Sequence, residues 1–400
     1  VSTDKGKNRR RGYDINDMEH YIYFPTTHYH FIISYFLREK NKKHYNSIIL
    51  DESHFNRNFM NKVIDSKNWD NIYALNLSSR FSNFANRNIF YNSKYDELFN
   101  IKNANLVVFT FGDDFVNLLV NSIYKNNNIL MGEDGIFPYY GLAIVEEYCN
   151  LLKDEPTINK LKRYFRYKTN CKYQFNIQRI DKFLLLNPEW LPKEFIQQYT
   201  LEQIVLDQKA MQMALNELTC LYDYKKENLY NDIDIIYFDP DLSNTGFITE
   251  RKEYEMLYKI FNELKGLKIV IKLKPNNNEL INTQRKAFYD TLQKETACNF
   301  VMNYSGSKYP WEIIYYNNAI NFKDVIFMSP VFSTAFITPK KFFGIENNVI
   351  CLQNIFDKEL KVFISSKSID DFIDRIKRTY LSKSIYIPDS IDDIRSFCIK

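Results

Sequence analysis

The chain has 400 residues, 45% of them apolar and 26% charged, with a formal net charge of +4. That balance describes a globular chain rather than a disordered one, and no stretch approaches the roughly 18 consecutive apolar residues that suggest a membrane-crossing helix. The mild positive charge permits an anionic substrate but does not call for nucleic acid.

The first residues, VSTDKGKNRRRGYD, place basic side chains before no apolar segment and do not read as a secretory signal. Residues 1–17 are expected as a mobile basic tail, with contact to anionic lipid as the alternative. Short apolar runs then alternate with helical patterns. HYIYF (20–24), NSIILDE (46–52), NIYALNL (71–77), ANLVVFTF (104–111) and NNILMGED (127–134) read as strands. The segments between them carry helical spacing, as in YHFIISYFLREKNKK and DDFVNLLVNSIYKN, which predicts a parallel sheet with helices on both faces. Residues 142–225 read as mostly helical. Within them LEQIVLDQKAMQMALNELTCLY has the three- and four-residue apolar spacing of a core-facing helix. A second alternating series runs through DIDIIYFDP (232–240), LKIVIKLKP (267–275), CNFVMNY (298–304), KDVIFMSP (323–330) and NVICLQN (348–354).

The length exceeds what one hydrophobic core usually supports. The expected fold class is therefore α/β, with two Rossmann-like domains and a cleft between them. The expected boundaries are an N-terminal domain with a helical insertion over 18–228 and a C-terminal domain over 229–385. A closing helix in 386–400 would pack back on the first domain. The six cysteines form no CxxC pair, which fits reduced thiols in a cytoplasmic protein better than a zinc site or a disulfide framework.

Ligands of open parallel sheets bind beyond the carboxyl ends of the strands, so the candidate residues are sought there. ILMGEDGIFPYYG (129–141) ends a strand on adjacent carboxylates, Glu133 and Asp134, followed by Gly135. Like charges this close beside apolar neighbours raise one pKa and make a usable general base; a plain Asp-Gly turn is the alternative. IKLKPN (271–276) puts Lys272 and Lys274 on one face of a strand that Pro275 stops, either as an anion clamp or as solvated lysines beside a turn. Ser333 and Thr334 in SPVFSTAF (329–336) sit at a helix start, where they would receive a phosphate or simply cap the helix. DPDLSNTG (239–246) offers Ser243, Asn244, Thr245 and Gly246 as an anion-binding turn.

All five histidines, His20, His28, His30, His44 and His54, fall in the first 54 residues, which leaves no histidine general acid in the second half. The His28-x-His30 pair is a weak metal signal without a nearby carboxylate or cysteine, and no metal is expected. NKLKRYFRYKTNCK (159–172) interleaves Lys160, Lys162, Arg163, Arg166 and Lys168 with Tyr164, Phe165 and Tyr167. This basic-aromatic stretch, with Leu161 and Thr169 near its ends, suits a polyanion; an exposed helix face is the alternative.

In order and placement these motifs resemble the bacterial capsule polysialyltransferases and, more distantly, the lipooligosaccharide sialyltransferases. Those families carry an acidic-acidic-Gly motif, here Glu133-Asp134-Gly135, a His-Pro motif, here Lys274-Pro275, and a Ser/Thr pair, here Ser333-Thr334. YIYFPTTHYHFIISYFL is similar to their first strand, loop and helix. The resemblance spans about residues 18–355 in motif order. Lys274 departs from the pattern, either as an engineered substitution or in a divergent lineage, which leaves the general-acid assignment open.

The resemblance implies a GT-B architecture, CMP-sialic acid as donor, no essential metal and no separate cofactor. It implies an inverting transfer to a sialylated oligo- or polysaccharide acceptor, elongating the polysialic acid of a bacterial capsule. Glu133 would deprotonate the acceptor hydroxyl while Asp134 orients Glu133 or holds the acceptor. Lys272, Lys274, Pro275, Ser333, Thr334, Asn244, Thr245 and Gly246 would hold the donor. Gly135, His28 and the basic run would meet the acceptor. No nucleic acid is implied; a peripheral contact with the inner face of the membrane or with capsule-assembly partners is. The alternatives are a transferase adding one sialic acid to a galactoside of lipooligosaccharide, or a non-enzymatic protein binding polyanions or nucleic acid.

Overall fold

In the computed structural model of the protein, residues 18–75, 97–110, 112–141, 177–274, 279–303, 309–356 and 366–398 are described. The expectations for the tail at 1–17 and for residues 142–176 lie outside them.

The apolar runs of the first half become β1 (His20–Phe24), β2 (Tyr45–Asp51), β3 (Asn71–Leu75), β4 (Ala104–Val108) and β5 (Asn128–Gly132). Helices α1 (His28–Lys40), α2 (Arg57–Ser66) and α3 (Asp114–Ile123) connect them, each started by a side chain that accepts a first-turn N–H: Thr27, Asn56 and Asp113. After β5 come the one-turn helix α4 (Phe137–Tyr140), β6 (Lys182–Leu185), α5 (Lys193–Gln198), β7 (Leu201–Gln203) and α6 (Gln208–Leu221). These strands form a seven-stranded sheet in the order β3-β2-β1-β4-β5-β6-β7. The pairings from β3 across to β6 are parallel.

The mostly helical expectation for 142–225 is corrected where the chain is described, because β6 and β7 precede α6. Lys182–Leu185 is a short apolar run whose last three residues are all buried, which suits a strand covered on both faces. The helical pattern cannot begin at Leu201 because Asp207 stands outside it as the cap, accepting from Ala210 N at 2.8 Å.

The second half gives β8 (Ile235–Asp239), α7 (Glu250–Glu263), β9 (Lys268–Leu273), α8 (Glu279–Thr296), β10 (Asn299–Asn303) and α9 (Trp311–Asn318). It continues with β11 (Ile326–Ser329), α10 (Thr334–Phe343), β12 (Asn348–Cys351), α11 (Gln353–Phe356), α12 (Ser366–Lys377), β13 (Ile385–Tyr386) and α13 (Asp392–Cys398). Its six-stranded sheet has the order β10-β9-β8-β11-β12-β13, parallel throughout. Both sheets therefore repeat one doubly wound order and are Rossmann-like, as the alternating patterns predict. Each reverses direction at a switch point, β1/β4 in one and β8/β11 in the other, where such sheets bind ligands.

The chain divides into two compact units, 1–132 with 155–184 and 204–206, and 133–154 with 185–203 and 207–400. In the second, Tyr237, Ile271, Met328, Ile350 and Leu257 are fully buried in one apolar core. Each such side chain contributes about 1.5–3 kcal/mol by leaving water. Ile394 of α13 joins that core, and Arg395 donates to the Glu263 carbonyl at 3.0 Å, so the closing helix is anchored on α7. Among the described residues no helix is long and apolar enough to cross a membrane.

Candidate functional site

The chain leaves β5 at Gly132 and turns at once, with Gly135 at φ +55°. That left-handed conformation is costly for a residue with a Cβ. Glu133, the first residue of the turn, has no exposed surface. Its Oε2 accepts from the Leu186 backbone N–H at 2.8 Å and from the Tyr139 hydroxyl, while its Oε1 is paired with the Lys341 ammonium. Lys341 also donates to the Gly135 carbonyl at 3.1 Å and stands 4.9 Å from the centre of the Tyr139 ring. Burial draws the Lys341 ammonium below its ordinary pKa against the pull of Glu133 and Glu312. Burial, together with the Glu133 charge, pushes the Tyr139 hydroxyl well up. Asp134, by contrast, is only partly buried.

Tyr139 belongs to α4, which is fastened from the other side by α12. Arg375 donates to the Tyr139 carbonyl at 2.7 Å and to the Trp190 carbonyl at 3.1 Å, and Tyr140 packs edge-on against Phe372 with ring centres 4.9 Å apart. The acidic turn thus sits on a braced floor.

Helix α10 brings the hydroxyl motif to the same place. Ser333 is its N-cap, accepting from Ala335 N at 3.2 Å. Thr334 follows, and a Cβ built on Gly135 would lie 2.5 Å from Thr334 Oγ1. Lys341 lies two turns further along this helix. The spacing matters: one helix carries both the hydroxyls beside Gly135 and the ammonium paired with Glu133.

Lys272 and Lys274 do not behave as one exposed face. Lys272 is 3% exposed, donates to the Leu273 carbonyl at 2.9 Å, and is pulled down to about 8 by burial, with Glu312 opposing. Burial raises the Glu312 carboxyl, against the charges of Lys272 and Lys341 and a hydrogen bond from Thr338 at 3.2 Å. Lys274, just past the end of β9, is exposed and acts electrostatically on Asp241. Pro275 lies outside the described residues, as do Lys160, Lys162, Arg163, Arg166 and Lys168.

The turn after β8 is held by Arg285 of α8. Its guanidinium donates to Asp239 at 2.6 and 2.9 Å and to Glu253 at 3.0 Å through two nitrogens, with Asp241 at 3.4 Å. Asn244 donates to Asp241 Oδ1 at 2.8 Å, the Thr245 hydroxyl to the Asp241 carbonyl at 2.9 Å, and Gly246 N to the Ser243 carbonyl at 3.0 Å. These donors close the turn on itself.

In the first unit His28 opens α1 and lies edge-on between Phe55 and Phe59, with ring centres 5.2 and 5.1 Å away. Burial lowers its pKa to about 4, so it is neutral at physiological pH. His54 lies 3.1 Å from Asp113; burial lowers its pKa, but the Asp113 carboxylate more than reverses this. Among the described residues no group of three or more His, Cys, Asp or Glu side chains is placed to hold a metal ion.

The structure thus brings Glu133, Asp134, Gly135, Ser333 and Thr334 into one neighbourhood and puts Lys274 beside the Asp241 turn. Sequence reasoning missed Lys341, Tyr139, Glu312 and Arg285. Lys341 stands in TPKKFFG and Arg285 in NTQRKAFY, each next to another lysine, so the local sequence did not single either out.

No protein-family model and no curated protein sequence matches the chain. Solved structures similar to it include MurG of Acinetobacter baumannii, at 10% identity over 95% of this chain and 89% of that one with a TM-score of 0.39. A glycosyltransferase of Rickettsia africae ESF-5 is 12% identical over 96% and 88%, with a TM-score of 0.43. TcCGT1 in complex with UDP is 11% identical over 95% and 90%, with a TM-score of 0.47.

Proposed function

We propose that the chain is an inverting glycosyltransferase that moves sialic acid from CMP-sialic acid to a sialylated acceptor and so elongates polysialic acid. The observation that carries this reading is the meeting of two motifs far apart in sequence. Gly135 packs against Thr334, and Lys341 of the helix that Thr334 begins is bonded to Gly135, 206 residues away, and paired with Glu133. Proton-accepting carboxylates and phosphate-holding hydroxyls belong together in a reaction that deprotonates an acceptor while a phosphate departs.

In this reading the acidic pair takes the proton of the acceptor hydroxyl, whose oxygen attacks the anomeric carbon and inverts it. Ser333 and Thr334 receive the departing CMP phosphate. Lys274, exposed at the end of β9, supplies positive charge to that phosphate in place of a protonating histidine. The Lys160–Lys168 stretch holds the anionic acceptor, with affinity that falls as salt rises.

The test is incubation with CMP-sialic acid and a short fluorescent sialylated acceptor. A ladder of longer products, with one CMP released per residue added, is expected, and it should persist in EDTA. Addition of one residue to a galactoside alone would favour the lipooligosaccharide alternative. No transfer to either acceptor would sink the reading.

A further inference from the structure

The first unit holds a further pair of titratable side chains at the end of its sheet where ligands of such sheets bind. β2 and β4 flank β1, and the segments that follow them meet. His54, three residues past β2, has Nε2 3.1 Å from Oδ2 of Asp113, the cap of α3 beyond β4. The other oxygen of Asp113 accepts from the N–H groups of Phe115 at 2.8 Å and Val116 at 2.9 Å. An ionised carboxylate can only accept, so the ring proton facing Asp113 stands on Nε2. Nδ1 makes no hydrogen bond to any described residue, and the side chain keeps 21% of its surface. Resting on the reading above, we propose that His54 binds the carboxylate of the sialylated acceptor through Nδ1–H, with Asp113 as its positioning residue.

The charges around the ring support a cation there. Burial would lower the His54 pKa, but the bond and charge of Asp113 and the charge of Asp51 more than reverse this. Burial would lift the Asp113 carboxyl, but His54 and the N–H groups of Val116 and Phe115 outweigh it, so the carboxylate stays ionised. Asp51 has no exposed surface and accepts from the Ser53 N–H at 3.2 Å and from the Ser53 hydroxyl, so it acts on the ring without reaching solvent. Glu52 of the same loop is paired with Arg57 at 2.8 Å. On α1, His28 is enclosed against Phe55 and Phe59, and burial lowers it to about 4, so it adds no charge. A protonated His54 donates from Nδ1 to a carboxylate in a charge-assisted bond, which the neutral ring cannot do. Acceptor affinity should therefore rise as pH falls through the His54 pKa, and bound acceptor should raise that pKa in turn.

The experiment titrates the full chain, without CMP-sialic acid, with the short sialylated acceptor and with its carboxyl methyl ester at pH 6 and pH 8. The ring resonances of histidine-labelled protein are followed by NMR, and the His54 signal is assigned by its loss in His54→Gln. The acceptor should bind more tightly at pH 6, the ester about tenfold more weakly than the acid, and saturation with acceptor should move the His54 titration to higher pH. His54→Gln should weaken binding about tenfold and flatten its pH dependence. Asp113→Asn keeps an oxygen to cap α3 but removes the charge that holds the imidazolium, so its binding profile should shift to lower pH. The assignment is overturned if the ester binds as well as the acid, if the His54 resonance does not respond to acceptor, or if folded His54→Gln binds undiminished. The last result together with a lowered thermal midpoint would make the pair a latch between loops and nothing more. If the wild-type protein binds the acceptor as expected but transfers nothing from CMP-sialic acid, the sialyltransferase reading fails and this contact stands. If it transfers and His54→Gln leaves the acceptor KM unchanged, the contact fails and that reading stands.

Discussion

The ammonium of Lys341 lies 3.1 Å from the carbonyl oxygen of Gly135, 206 residues earlier in the chain, and pairs with the Glu133 carboxylate in a site where neither side chain has exposed surface. A buried pair of this kind adds little against an apolar replacement of both partners, but removing one partner strands a charge. Lys341→Met alone should therefore cost about 3–5 kcal/mol. Urea denaturation followed by tryptophan fluorescence checks this, and the double variant with Glu133→Gln should recover most of the loss. Equal instability of single and double variants would show that packing, not charge, governs the site.

Gly135 is constrained twice, by its φ of +55° and by Thr334 Oγ1 at 2.5 Å from where a Cβ would stand. Gly135→Ala should cost about 1–2 kcal/mol for the backbone alone, plus the steric conflict. In Thr334→Ala the conflict disappears, because the nearest remaining atom would be the residue's Cβ at 3.5 Å. A double-mutant cycle measured by thermal unfolding should show that the pair is less destabilised than the sum of its parts. Strict additivity would mean that the two motifs do not touch in solution.

The strands were legible where burial leaves a simple pattern. HYIYF is β1 residue for residue, and both series of alternating elements became doubly wound sheets. β13 has two residues and gives no periodicity to read. The carboxylate pair and the hydroxyl pair were singled out as candidates because strand ends and helix starts mark themselves. Their partner was not. Lys340 and Lys341 are adjacent and chemically identical, yet they point about 100° apart around α10. Lys340 pairs with Glu346 and keeps some exposed surface, whereas Lys341 is enclosed beside Glu133. A helical pattern tells which face is apolar but not which lysine has a distant carboxylate waiting for it. Lys272 and Lys274 show the converse: period-two alternation put them on one face, but the strand ends between them and only Lys272 is enclosed.

Arg285 supports the turn after β8 with a planar fork of donors, and both main partners are nearly without exposure: side-chain values are 1% for Asp239 and 0% for Glu253. Lysine cannot reproduce that fork. Arg285→Lys should destabilise the second unit despite the retained charge, and Arg285→Met should do so by about 3–5 kcal/mol. Hydrogen exchange checks the local consequence: amides of 241–246 should exchange faster in both variants than in the parent. Unchanged protection there would detach the turn from Arg285.

Glu346 gives the chain a pH-dependent fastening near its C-terminal strand. It accepts from Lys340 at 2.5 Å and from the backbone N–H groups of Leu381 at 3.0 Å and Ser382 at 2.7 Å, with the Ser382 hydroxyl at 2.8 Å. Partial burial by itself would lift the carboxyl, but the ammonium and these N–H groups outweigh it and hold the pKa at about 2, against an ordinary 4.5. A depressed folded-state pKa means that the unfolded chain takes up the proton first on acidification. The stability Glu346 contributes is thus fully present above 4.5 and drains away as pH falls toward 2. Glu346→Gln, which keeps the shape and loses the charge, should lower the thermal midpoint at pH 7. The gap between parent and variant should narrow progressively below pH 4.5. A gap that stays constant down to pH 3 would mean that the loop at 381–383 is held by shape rather than by the ionised carboxylate.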